Sequence, residues 1–146
     1  MSTAPSRRSA LRLSLQRYVD ARQAALLLAR RELGVNELDA RALLYIADNP
    51  GTRPTQLREY LGITSAGVTT LVDRLVDRSA VRREVDTVDR RVNRISLTID
   101  LAIAPWSALT KFDEDFDVAV AAGDVMDNSR FADALDALLA ATAAAA

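Results

Sequence analysis

The stretch from Thr64 to Ile99 constrains this chain more than any other. Thr64 offers a capping oxygen to a helix from Ser65 to Arg78, in which Val68, Leu71, Val72 and Leu75 recur at steps of three and four and share one face. Two extended runs follow, Val81–Val85 and Val92–Ile99. In the second, Asn93, Ile95, Leu97 and Ile99 alternate with Val92, Arg94, Ser96 and Thr98, the period of a half-buried strand. A short charged link, Asp86–Arg91, joins the two runs, so they are expected to pair as a hairpin. Upstream, Pro54 suits a first helical position, Leu57 and Leu61 face inward, and Leu61-Gly62-Ile63 makes a tight turn. A short helix, a glycine-containing turn and a second helix are the helix-turn-helix pattern, here followed by an arginine-tipped hairpin.

The rest of the chain reads as helix. From about Ser9 to Gly34, Leu11, Leu15, Tyr18, Val19, Arg22, Leu26 and Ala29 form a stripe that Leu13, Leu27 and Leu28 widen. This surface either meets a second chain or packs within its own subunit. Gly34 closes the helix in the left-handed conformation, and residues 1–9 are expected to fray. Asn36 caps the next helix, with Glu37 and Asp39 in its first turn and Leu38, Ala42, Leu43, Ile46 and Ala47 inward, before Asn49-Pro50-Gly51 stops it. After Ile99 the helical spacing resumes through Trp106, Leu109, Phe112, Phe116 and Val120. Pro105 means that this helix either begins near Ala104 or kinks there. Ala122-Gly123-Asp124 breaks it, and a last helix runs from Asn128 or Ser129 through Phe131, Leu135, Leu138 and Leu139. The expected fold class is mainly α with a small antiparallel β-hairpin.

Composition narrows the chemistry. The 146 residues suffice for one domain with a real core. Cysteine and histidine are both absent, which excludes disulfides and thiolate sites and removes the commonest general base and metal ligand. Asp113, Asp115 and Asp117 splay apart on a helix, so no metal or cofactor is expected, and an enzyme is the weakest reading. No run approaches the length of a membrane span, and no apolar core follows the N-terminal arginines, so a cytoplasmic protein with no membrane partner is expected. The net charge of -1 conceals an asymmetry: residues 1–99 carry seventeen arginines against eleven acids, and residues 100–146 two basic residues against nine acids. An anionic partner on one side fits that division, as does ordinary solvated charge.

On the helix after Thr64, the face opposite the apolar one carries Ser65, Ala66, Thr69, Thr70 and Asp73. Small hydroxyl residues near a helix N-terminus approach a groove closely and bond phosphates or base edges, while threonine methyls meet thymine methyls. Capping and solvation are the plain alternative. Arg90 and Arg91 at the hairpin tip suit a narrow minor groove, and Arg74 and Arg94 are further candidates for the DNA backbone. Asp73 would repel phosphate unless paired, and Arg91 is the expected partner. The aromatics Trp106, Phe112 and Phe116 line either a ligand cavity or, at helical spacing, plain core.

Residues 33–99 resemble the MarR family of bacterial winged-helix transcriptional regulators. The matching pieces are Leu43-Leu-Tyr-Ile, Asn49-Pro-Gly, Gln56-Leu, Tyr60-Leu-Gly-Ile-Thr, Val68-Thr-Thr-Leu-Val-Asp-Arg-Leu, Val81-Arg-Arg, and Asp86-Thr-Val-Asp-Arg-Arg ahead of Ile95-Ser-Leu-Thr. The resemblance implies a winged helix-turn-helix with N- and C-terminal dimerisation helices, divided as 1–34, 35–99 and 100–146. It implies a homodimer on double-stranded DNA with a pseudo-palindromic operator, repressing by occluding a promoter and relieved by a small aromatic effector. The groove-reading helix maps to Thr64–Arg78, the wing-tip arginine to Arg90 or Arg91, and an effector pocket to Tyr18, Tyr45, Trp106 and Phe112. The chain departs from the family pattern in three places. Ser79-Ala80 stands where a glycine usually follows the recognition helix, Ile99-Asp-Leu-Ala-Ile-Ala-Pro lacks the usual glycine after Leu-Thr, and the recognition helix carries no basic residue before Arg74. That last feature supports the alternative of a winged-helix module that binds protein and not DNA.

Overall fold

The computed structural model describes residues 8–123 and 127–145. Helix α1 (Ala10–Leu33) starts at Ser9, whose hydroxyl accepts from the Arg12 N–H at 3.1 Å. It ends at Gly34, φ 65°, which a side chain would occupy only at a steric cost. Helix α2 (Glu37–Asp48) is capped by Asn36, whose Oδ1 accepts from the Asp39 N–H at 2.8 Å. Helix α3 (Pro54–Leu61) has proline at its first position, and Gln56 Oε1 accepts from the Arg53 N–H at 3.0 Å. Gly62, φ 66°, turns the chain into α4 (Ser65–Asp77).

Strands β1 (Val81–Val85) and β2 (Asn93–Leu97) pair antiparallel, with Val81 opposite Leu97 and Val85 opposite Asn93. Thr52 adds one bridge to Ile95, whose N–H donates to the Thr52 carbonyl at 2.8 Å, so the chain before α3 forms a vestigial third strand. A 3₁₀ turn (Trp106–Leu109), α5 (Lys111–Ala122) and α6 (Asn128–Ala144) complete the chain. The helix expected near Ala104 thus opens as this tight turn after Pro105, and α5 proper begins at Lys111. Residues 1–7, most of the stretch expected to fray, and Asp124 of the expected break lie outside the described residues.

Two compact units emerge, one ending at Phe112 and one beginning at Asp113. The core of the first joins Leu43 and Ile46 of α2, Leu57 and Leu61 of α3, Val68, Leu71, Val72 and Leu75 of α4, and Val81 and Ile95 of the hairpin. Burying those side chains is the main drive for this lobe. Leu109 is fully buried with them, and Leu101 and Trp106 pack against the same cluster, so compactness continues past the boundary expected at Ile99. In α2 the inward set differs from the one expected: Ala47 is exposed, while Asp39 and Ala40 are buried. In β2 Ser96 is also buried, because its Oγ accepts the Gly51 N–H at 2.9 Å.

The second unit has another character. Neither α5 nor α6 buries a residue, and Val118, Leu138 and Leu139 are more than half exposed. Helix α1 buries only Ala29 and leaves Leu28 at 65% exposure.

Candidate nucleic-acid interface

Helix α4 presents its two faces as the spacing requires. Val68, Leu71, Val72 and Leu75 are buried, and Ser65, Ala66, Thr69, Thr70 and Asp73 are exposed. Thr64 Oγ1 accepts from the Gly67 N–H at 3.0 Å, fixing the first turn. The Thr69 hydroxyl donates back to the Ser65 carbonyl at 3.1 Å, which leaves its oxygen lone pairs and its methyl to face outward. Thr69 is therefore an acceptor and an apolar contact. Arg58 reaches across from α3, its Nη1 donating to Ser65 Oγ at 3.3 Å. This places a cation at the start of a helix whose own first turns carry none. Reading α4 alone misses Arg58. The signal was its position one turn before Gly62 on the preceding helix.

The link between the strands is built by its two aspartates. Asp86 Oδ1 accepts from the Val88 N–H at 3.0 Å, and Asp89 Oδ1 accepts from the Arg91 N–H at 3.0 Å, two successive turns in which a carboxylate replaces a backbone acceptor. The Val88 N–H and then the Arg94 guanidinium hold the Asp86 carboxyl below the usual carboxylate range. Arg90 and Arg91, lifted on this turn, are exposed, and no side-chain partner engages either among the described residues.

Three arginine assignments change. Arg74, expected at the DNA backbone, is held against α2: its Nε and Nη2 meet the two carboxylate oxygens of Asp39 at 2.9 and 2.6 Å. Asp39 is 2% exposed, and a buried carboxylate demands such a partner. These hydrogen bonds also raise the Arg74 pKa above its ordinary value. Arg94 likewise turns inward, with Nε and Nη2 on Asp86 Oδ2 at 3.0 and 2.8 Å and Nη1 on the Gly51 carbonyl at 3.2 Å. It clamps the hairpin to the bridge strand. The partner of Asp73 is Arg83 on β1, at 2.5 Å, and not Arg91. The reason is position: the strand carries Arg83 beside α4, whereas Arg91 belongs to the raised turn.

The four residues expected to form one effector pocket divide. Tyr18 and Phe112 pack ring to ring at 5.7 Å, and Trp106 packs against the lobe core. Tyr45 instead stacks on Tyr60 at 4.3 Å, with the Arg41 guanidinium 5.4 Å from the Tyr60 ring centre. That stack borders an open cleft of about 730 Å³ between α1 and α2, lined also by Leu26, Arg30, Arg41 and Leu44. Arg30 Nε is buried there with no hydrogen-bond partner among the described residues.

The turn after α4 explains the first departure from the family pattern. Ser79 adopts φ 56°. Its N–H donates to the Val76 carbonyl at 2.8 Å and the Ala80 N–H to that of Leu75 at 2.9 Å. This is the Schellman closure that glycine usually makes, here accepted by a serine.

Residues 33–92 match a family model described as MarR family. No curated protein matches the chain. Among solved structures it is similar to MepR, a transcription regulator of the Staphylococcus aureus multidrug efflux pump MepA, at 20% identity over 92% of this chain and 99% of that one, TM-score 0.61. It is similar to the S. aureus MepR–DNA complex at 20% identity over 94% and 99% of the two chains, TM-score 0.62. The YusO protein from Bacillus subtilis matches at 22% identity over 91% and 98%, TM-score 0.57. The segment that is similar to the MarR family, residues 33–92, takes in α2, α3, α4 and β1.

Proposed function

We propose that this chain is a dimeric, sequence-specific double-stranded-DNA-binding transcriptional regulator, a repressor whose grip is relieved by a small aromatic ligand. The observation that carries the reading is the conjunction of two surfaces on one lobe: the exposed hydroxyl face of α4 and the raised, exposed Arg90 and Arg91. Ser65, Ala66, Thr69 and Thr70 enter the major groove, with Thr64 at the helix mouth and Arg58 beside it. Arg90 and Arg91 take the adjacent minor groove or backbone. MepR, similar in fold, is solved on DNA, which supports the same docking here.

The exposed apolar residues Leu28 on α1, Val118 on α5 and Leu138 and Leu139 on α6 support dimerisation through these helices. The described helices include none long and apolar enough to cross a membrane, and we place the protein in the cytoplasm with its DNA. The open cleft beside Tyr45 and Tyr60 is where we place a planar effector.

A gel shift against the region upstream of the chain's own gene tests this reading. Salt-sensitive binding to a palindrome with half-sites about one helical turn apart is expected. Arg90→Ala should lower the salt slope by about one unit. Salt-insensitive or absent binding favours the protein-interaction module instead.

A further inference from the structure

Resting on the DNA-binding reading, we infer that Arg83 is a positioning residue: it cancels the charge of Asp73 on the groove face of α4 and so leaves Arg91 free for DNA. Asp73 is one turn beyond Thr69 on the exposed side of α4, a unit negative charge on the surface that would meet phosphates. Arg83 lies on β1 opposite Ile95, and its Nη2 reaches Asp73 Oδ1 at 2.5 Å. The Arg83 side chain lines a small recess between helix and hairpin together with Thr69, Val72, Asn93 and Ile95, so it is seated in the seam of the lobe.

The side chains of Arg83 and Asp73 are 38% and 57% exposed. A pair so wet contributes little to stability. Its consequence lies in the field: with Arg83 present the Asp73 charge on the groove face of α4 is offset, and without it that charge opposes the polyanion. The nearby cations cannot substitute. Arg74 is committed to Asp39, Arg94 to Asp86, and Arg82 to Glu84. Arg91, the remaining wing cation with Arg90, stands on the raised turn with no side-chain partner among the described residues.

The test measures affinity and salt slope for four full-length proteins, wild type, Arg83→Ala, Asp73→Asn and the double variant. The probe is a 40-base-pair duplex, roughly four helical turns, selected by the wild type from a random pool. Arg83→Ala should weaken binding about tenfold, and Asp73→Asn in the same chain should restore affinity to within about twofold of Asp73→Asn alone. The salt slope of the double variant should equal that of Asp73→Asn, because Arg83 itself touches no phosphate. Arg83→Lys, which keeps the charge, should bind within about threefold of wild type. An Arg83→Ala loss that persists with Asp73→Asn, with a slope lower by one, overturns the inference in favour of direct contact. No loss in Arg83→Ala overturns it as well. If the pool yields no duplex for the wild type, the DNA-binding reading itself fails, an outcome distinct from both.

Discussion

Removing Arg74 should harm this protein more than removing Asp39, although both deletions break the same pair. The two partners occupy different environments. Asp39 is 2% exposed, and both its oxygens lie on one guanidinium at 2.6 and 2.9 Å. The Arg74 side chain is 42% exposed. Arg74→Ala therefore strands a buried carboxylate, a change that costs about 3–5 kcal/mol when no water can enter. The gap left by arginine opens toward solvent and admits water, which reduces the expected cost to about 3 kcal/mol. Asp39→Ala removes the buried charge itself and leaves a guanidinium that solvent already reaches, so about 1–2 kcal/mol is expected from the lost charge-assisted bonds. The double variant should resemble Asp39→Ala, giving a favourable coupling of about 3 kcal/mol in the cycle. Urea unfolding followed by circular dichroism reads these values, at one fixed protein concentration because association adds to apparent stability. An additive double variant, or Asp39→Ala costing more than Arg74→Ala, refutes the reasoning. At a protein concentration that keeps Arg74→Ala folded, its DNA salt slope should match wild type, since its guanidinium is held by Asp39.

Further outcomes follow from single positions. Ser79→Gly should stabilise the chain by about 0.5–1 kcal/mol in the same urea assay, because serine holds φ 56° against its Cβ; a destabilised variant would show that the serine is not strained. Ile46→Ala, at an α2 site with 0% exposure in the lobe core, should cost about 2–5 kcal/mol by the same measurement, and a cost below 1 kcal/mol would mean the lobe core collapses into the gap. The Asp86 carboxyl is held below its ordinary 3.8, so its contribution to the wing is complete above that value and is lost as pH falls through the lowered folded value. Protease cleavage at the 86–91 turn should therefore stay flat from pH 7 down to about 4, with Asp86→Asn cleaved faster throughout; equal cleavage of the two proteins above pH 4 would count against the turn.

Much of the lobe was legible because its signals are local. Hydrophobic period, capping side chains and punctuating glycines each act within one or two turns of chain. The caps at Asn36 and Thr64, the turn at Gly62, the buried face of α4 and the bounds of β1 all follow from such short-range rules. The bridge at Thr52 was not legible, since its partner Ile95 lies far along the chain and one bonded residue leaves no periodic pattern. The hydroxyl face of α4 could likewise be read from helical spacing, whereas Arg58 joined it only through the angle between α3 and α4.

The sequence by itself determined which residues are charged, which face of α4 is apolar and where α2, α3 and α4 begin. The two turns that Asp86 and Asp89 make with the amides two residues on are likewise local to the 86–91 link. Which cation answers which anion was decided only by the tertiary structure. Asp39 meets Arg74, Asp73 meets Arg83 and Asp86 meets Arg94, across separations of 35, 10 and 8 residues. Arginine is nearly the only cation this chain uses, so residue type carries no pairing information. Coulomb attraction acts through space, and the packing of α2, α4 and the hairpin sets those distances. That packing commits Arg74, Arg83 and Arg94 to partners within the lobe and leaves Arg90 and Arg91 of the wing facing outward.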